Sequence, residues 1–207
     1  MKVFGLTGNI GCGKSTVASL FSKYPGVIIL DCDSIAKEII SGGAHKQEIN
    51  SILGADIFLG GKADFEHIAK IIFKKLEKKR LFEALIHPFV WATVKKKVES
   101  FKEMQICIVE SASIYETKNE DKFTGVILVT CNPKEQLRRL QKNRKMNLEE
   151  IRSRIARQLP SPEKKTKAHF VIETDCSLGQ LKDRVSELYH KLKKRKEFYH
   201  ENAKIYA

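Results

Sequence analysis

The chain has 207 residues, of which 42% are apolar and 30% charged, a mix that suits one folded core carrying smaller lobes and excludes a disordered or fibrous chain. No apolar run reaches the about eighteen residues that cross a bilayer, and the five cysteines (Cys12, Cys32, Cys107, Cys131, Cys176) contain no C-x-x-C pair, which leaves a zinc or disulfide framework without support. A net charge of +13 attracts polyanions (nucleic acid, anionic membrane or phosphorylated small molecules) without choosing among them.

In chain order, Met1–Gly8 is too short and too soon broken by glycine to be a secretory leader, so the protein is expected to be cytoplasmic. Val3–Thr7 reads as an apolar strand and Lys14–Ser22 as the helix after it; Val27–Leu30 and Ser34–Ile40 repeat the pattern. A long, mostly helical stretch follows. In it Leu81, Leu85 and Phe89 mark an apolar stripe that Val94, Val98 and Phe101 continue. Pro88 predicts a kink or restart there and pushes His87 out of helical geometry. Gln105–Val109 and Gly125–Cys131 are further apolar strands. From Pro133 to Lys167 the sequence turns basic and predicts two helices joined by a short turn, with Pro133 in a first turn, Asn147 and Glu150 as a capping box, and Pro160 and Pro162 as the stop. His169–Glu173 is the last strand; Ser177–Phe198 is the last helix, with Leu178, Leu181, Val185, Leu188 and Leu192 on one face.

Apolar strands alternating with helices imply an α/β fold: a doubly wound, mostly parallel five-stranded sheet with an inserted helical lobe and a helical lid. The expected division is a core of 1–60, 104–132 and 168–207, an acceptor lobe of 61–103 and a basic lid of 133–167.

The strongest motif is Gly8-Asn9-Ile10-Gly11-Cys12-Gly13-Lys14-Ser15-Thr16, which matches the phosphate-binding pattern G-x-x-x-x-G-K-[ST] between a strand and a helix. Gly8, Gly11 and Gly13 let successive N–H groups, that of Cys12 among them, point at an anion. The helix start adds its dipole, Lys14 supplies a charge for the β- and γ-phosphates, and Ser15 offers a hydroxyl to Mg²⁺, with Thr16 completing the ATP-binding run. Asn9 stands where a residue tolerant of left-handed geometry is expected.

Ligands in such sheets bind beyond the carboxyl ends of the strands, where two acidic sites fall. The first is Asp31-Cys32-Asp33. One of these carboxylates reads equally as a helix cap; the pair together suits an alcohol acceptor, whose proton a carboxylate removes during transfer. Asp33 is the preferred base and Asp31 the alternate. The second is Glu110, at the end of an apolar run, which reads either as a plain strand-end acid or as a group orienting Mg²⁺, directly or through water. Arg138, Arg139, Arg144 and Arg154 on the flap could stabilise the transferring phosphoryl group, and a closing lid excludes water.

These segments resemble the dephospho-CoA kinase family. The resemblance rests on L-T-G-N-I-G-C-G-K-S-T (6–16), D-C-D-S-I-A-K-E from Asp31, A-L-I-H-P (84–88), V-E-S-A-S-I-Y-E (109–116), R-I-A-R-Q (154–158) and A-H-F-V-I-E (168–173), collinear over most of the chain. It implies transfer of the ATP γ-phosphate to the ribose 3′-hydroxyl of dephospho-CoA, with Mg²⁺ as cofactor. The base is then Asp33; Lys14, Arg139 and Arg144 act on phosphate; and Asp31, His87 and Glu110 lie on the acceptor side. ATP and dephospho-CoA are the expected partners, without nucleic acid or membrane, in a monomer or small homo-oligomer. The family usually has Gly at Asn9, Ser at Cys12, P-L-L at Ala112-Ser113-Ile114 and A-D at Ala168-His169. It also has two lid arginines four apart, whereas Arg139 is followed by Asn143 and then Arg144; either Arg144 takes that place through a shifted turn, or Arg138 and Arg154 carry the role. The competing readings are another P-loop small-molecule kinase and, more distantly, a nucleic-acid-binding ATPase; a GTPase is disfavoured because no N-K-x-D run occurs.

Overall fold

The computed structural model describes residues 2–101 and 106–194. Gln105, expected to open the third long strand, and residues 195–198, expected to close the last helix, lie outside them. Two compact units are present: one runs to Leu30 and resumes at Ser100, and the other is Asp31–Glu99.

The first unit opens with β1 (Lys2–Thr7), α1 (Lys14–Phe21) and β2 (Val27–Asp31), whose last residue begins the second unit. The second contains α2 (Cys32–Ser41), α3 (Lys46–Leu53), a short hairpin of β3 (Phe58–Leu59) and β4 (Lys62–Ala63), α4 (Phe65–Lys74) and α5 (Leu76–Glu99). The chain then returns through β5 (Ile106–Glu110), β6 (Gly125–Thr130), α6 (Pro133–Arg144), α7 (Leu148–Ile155), α8 (Ser161–Lys167), β7 (Phe170–Glu173) and α9 (Leu178–Lys194).

The sheet order is β2-β5-β1-β6-β7. Strand β1 pairs in parallel with β5 and β6, and β6 with β7. This is the doubly wound sheet expected from the apolar runs. Phe4 and Leu6 of β1 pack on one face with Val17 and Phe21 of α1 and with Val185 and Leu192 of α9. Gly5 points to the other face, where a Cβ would lie 2.7 Å from Ile114 Cδ1 and 2.9 Å from Phe123. Both faces are covered, which is why the strand shows no polar alternation.

Helix α5 differs in two ways from what its sequence predicts. Its buried stripe is Phe82, Ile86, Val90, Val94 and Val98, while Leu81 and Phe89 are exposed. Two apolar rows lie side by side on this helix. The one spaced by four without a break runs its whole length and packs; the row through Leu81 does not. Pro88 does not stop the helix, and His87 is helical. Proline removes only the bond to the Ala84 carbonyl, and Ala84 and Pro88 both sit on an exposed face, so the loss leaves no buried orphan while the stripe holds the turns on either side. The basic segment forms three helices rather than two, because Pro160 and Ser161-Pro162 both end one element and open α8. The capping box at Asn147 and Glu150 is present in full.

Candidate active site

The site begins at the tip of β1. Gly8, Gly11 and Gly13 all have positive φ (152°, 80° and 89°). At Gly8 a Cβ would fall 2.2 Å from the Val129 carbonyl oxygen, so only glycine lets the loop leave β1 beside β6. Gly13 forms the left-handed N-cap of α1, which has no side-chain cap; this is the arrangement of a helix start that offers its N–H groups to an anion. Lys14 folds back over the loop and donates from Nζ to the Gly8 carbonyl at 2.9 Å. Ser15 and Thr16 are exposed in the first turn of α1, beside an open pocket of about 420 Å³ that they line with Lys23, Leu178 and Lys182. Asn9 is not left-handed, since Lys118 and Lys145 are the non-glycine residues with positive φ among those described. It is buried and donates from Nδ2 to the Leu159 carbonyl, so its amide side chain rather than its backbone freedom suits the position.

A wall of side chains from distant segments holds the loop. Ile10 is gripped on both sides of its peptide: its N–H donates to Gln158 Oε1 at 2.9 Å, and its carbonyl accepts from Gln136 Nε2 at 2.6 Å. The Cys12 carbonyl accepts from the Thr174 hydroxyl at 2.9 Å. Arg139 in turn donates to the Thr174 hydroxyl and carbonyl oxygens, and from Nε to Glu135. A Cβ on Gly13 would lie 3.5 Å from Arg139 Nη1, which puts this guanidinium beside the phosphate loop. Hydrogen bonds from Arg138 and Arg139 pull the Glu135 carboxyl down to about 2.

Two thiols meet under the same loop. Cys131, just past β6, donates to Cys12 Sγ at 3.2 Å. That hydrogen bond holds the Cys12 thiol below its ordinary value against the opposing effect of burial, helped by the Lys14 and Arg139 charges. Beyond the loop, Glu116 accepts from the Leu159 N–H at 3.1 Å and pairs at 2.7 Å with Lys164, which is fully buried.

Glu110 ends β5 in register with Leu6 of β1, so its backbone stands next to the start of the phosphate loop. Asp31 caps α2: it accepts from the Asp33 N–H at 3.0 Å and from the Ser34 hydroxyl at 2.7 Å. Asp33 is exposed in the first turn of that helix, and His87 lies in mid-α5. Arg144 is the last residue of α6. Burial first, and then the neighbouring Arg144 and Arg157 charges, lower the Arg154 pKa against the pull of Glu150. Arg144, Arg154 and Arg157 thus share one cationic neighbourhood.

Oxygen donors dominate the residues available to a metal. Ser15 offers an exposed hydroxyl and Glu110 a half-buried carboxylate, and among the described residues no group of three or more His, Cys, Asp or Glu could hold an ion by itself. This donor set fits Mg²⁺ shared with phosphate oxygens rather than an all-protein cage. Cys131, Gln136, Lys164 and Thr174 carry no motif that would mark them as site residues in the sequence. Glu116 and Gln158 stood at the ends of two quoted runs without a role.

A family model described as dephospho-CoA kinase matches residues 2–180. The dephospho-CoA kinase of Bdellovibrio bacteriovorus is 31% identical over 179 residues, covering 84% of this chain and 88% of that protein. A crystal structure of a Thermus thermophilus protein superposes with a TM-score of 0.77 at 28% identity, covering 92% of this chain and 97% of that one. A shikimate kinase from Acinetobacter baumannii shares the fold at a TM-score of 0.53 and 17% identity, covering 93% of each chain.

Proposed function

The chain belongs to the dephospho-CoA kinase family, and we propose that it transfers the γ-phosphate of ATP to the ribose 3′-hydroxyl of dephospho-CoA, giving coenzyme A. The observation that carries this is the glycine loop of β1–α1, with its left-handed N-cap at Gly13 and Lys14 reaching back over it, in a chain matched to the family over residues 2–180.

Binding comes first. The N–H groups of Gly11 and of Gly13 to Thr16 cradle the β- and γ-phosphates, and the α1 dipole adds to their pull, while the Ile10 and Cys12 N–H groups, bonded to Gln158 and to the Asn9 carbonyl, hold the loop in shape. Lys14 exchanges its bond to the Gly8 carbonyl for a phosphate oxygen. Ser15 and Glu110, the latter directly or through water, would hold Mg²⁺, which neutralises phosphate charge when bound.

Transfer needs the acceptor proton removed and the moving phosphoryl charge stabilised. Asp33 takes the proton. Asp31 is the alternate, its carboxylate accepting the two hydrogen bonds of the α2 cap. Arg139, beside Gly13, and Arg144, from the cationic group of α6 and α7, stabilise the equatorial oxygens. His87 and Glu110 act on the acceptor side. The segment 61–103 receives the acceptor, 133–167 closes as a lid, and the remaining segments hold the nucleotide.

The test is an acceptor panel with ATP and Mg²⁺. Dephospho-CoA should be phosphorylated, with AMP, nucleosides and shikimate inert. Turnover of any of those three with dephospho-CoA inert would overturn the substrate assignment. Among the described residues no helix is long and apolar enough to cross a membrane.

A further inference from the structure

We propose that Cys12 and Cys131 form an oxidation site, at which a small hydroperoxide joins the two sulfurs in a reversible disulfide that disables the phosphate loop. The two sulfurs are 3.2 Å apart, one within the glycine loop and the other at the end of β6, 119 residues away in sequence. A disulfide bond is ~2.04 Å long, so closing it needs a movement of about 1 Å. Cys131 Sγ also approaches the Gly11 carbonyl at 3.9 Å, which places it against the loop backbone itself.

The chemistry balances with one equivalent of peroxide. Thiolate is the nucleophilic form of cysteine. The Cys131 S–H donating to Cys12, with the Lys14 and Arg139 charges close by, favours that form at Cys12. The Cys12 sulfur attacks one peroxide oxygen, the O–O bond breaks, and hydroxide leaves, giving a sulfenic acid. The Cys131 sulfur then displaces the second oxygen as hydroxide, its own proton completing a water molecule. Each sulfur gives up one electron, and the peroxide ends as water. Cys12 is buried and Cys131 half-buried, so the oxidant must be small and must arrive on the Cys131 side.

The loop cannot absorb this step quietly. The Cys12 N–H is tied to the Asn9 carbonyl at 3.2 Å, and its carbonyl to Thr174. Drawing Cys12 toward β6 strains both bonds and moves Gly11 and Gly13, whose positive-φ geometry sets the direction of the phosphate-binding N–H groups. A misplacement of about 1 Å is enough to cost about 10²-fold in turnover.

The experiment treats the full chain with stoichiometric hydrogen peroxide, then measures intact mass, maps peptides and assays ATP-dependent turnover before and after dithiothreitol. The expected result is the loss of two hydrogens, a Cys12–Cys131 cross-linked peptide, a fall in turnover of about 10²-fold, and full recovery on reduction. Cys131→Ser should abolish the cross-link and the dithiothreitol-reversible loss, whereas Cys176→Ala should keep both. The mapping on the unmodified chain tests the site even if a variant folds poorly. Absence of the cross-linked peptide, its formation without loss of turnover, or the same reversible loss in Cys131→Ser would each overturn the proposal.

Discussion

Arg139 donates to the Thr174 hydroxyl and carbonyl oxygens at 2.8 Å each, and the Thr174 hydroxyl donates onward to the Cys12 carbonyl. The guanidinium that stands beside Gly13 is therefore also the brace of the loop it faces. Thr174 is 3% exposed, so these bonds are made out of water, and losing one costs more than it would at the surface. Thr174→Val keeps the shape and removes the hydroxyl. It should cost about 1–3 kcal/mol of stability in urea unfolding and raise the KM for ATP several-fold to about tenfold, leaving the acceptor KM unchanged. An unaltered KM for ATP would show that the brace does not position the loop.

The two aspartates after β2 should separate by function. Asp31→Asn keeps a good N-cap and should leave turnover within a few-fold of the parent, while Asp31→Ala should cost about 0.5–2 kcal/mol of stability. Asp33→Asn should leave ATP binding intact and lower kcat by about 10²–10⁴-fold, the usual size of a general-base effect. Equal kcat losses in Asp31→Asn and Asp33→Asn would remove the assignment of Asp33 as the base.

Lys164 has no exposed surface, and its ammonium group lies 2.7 Å from Glu116. Glu116 also receives the Leu159 N–H, and Leu159 and Gln158 hold Asn9 and Ile10. Lys164→Met strands a half-buried carboxylate and should cost about 3–5 kcal/mol. Adding Glu116→Gln should recover part of that, because the stranded charge is gone. Additive losses in the double variant, read from urea unfolding, would show that the two side chains do not act as a pair.

Glu135 supplies a pH dependence with a definite sign. Its folded pKa of about 2 lies below the ordinary 4.5, first because Arg138 and then Arg139 hydrogen-bond its carboxylate. A depressed folded value stabilises the protein above the unfolded pKa, and the contribution fades as pH falls from about 4.5 toward 2. Glu135→Gln should therefore narrow the difference between urea midpoints measured at pH 6 and pH 3. An unchanged difference would mean that the Arg138 and Arg139 contacts do not persist in solution.

Short-range patterns along the chain were enough to mark several of its elements. Apolar runs covered on both faces marked the strands, the glycine spacing marked the loop after β1, and Asn147 with Glu150 marked the start of α7, because each depends on residues only a few positions apart. The remaining features depend on contacts between segments far apart in the chain. Whether Phe82 or Leu81 headed the buried row of α5 depended on which of two neighbouring stripes packed against α2, α3 and α4. Which aspartate capped α2 was a choice between two residues of equal local merit. The wall behind the phosphate loop joins Cys12 to Thr174, Ile10 to Gln136 and Gln158, and Cys12 to Cys131. Each of those partners lies more than a hundred residues from the loop, and a single sequence carries no periodicity that links positions so far apart; only the pairing of β1 with β6, and of β6 with β7, brings them within hydrogen-bond reach.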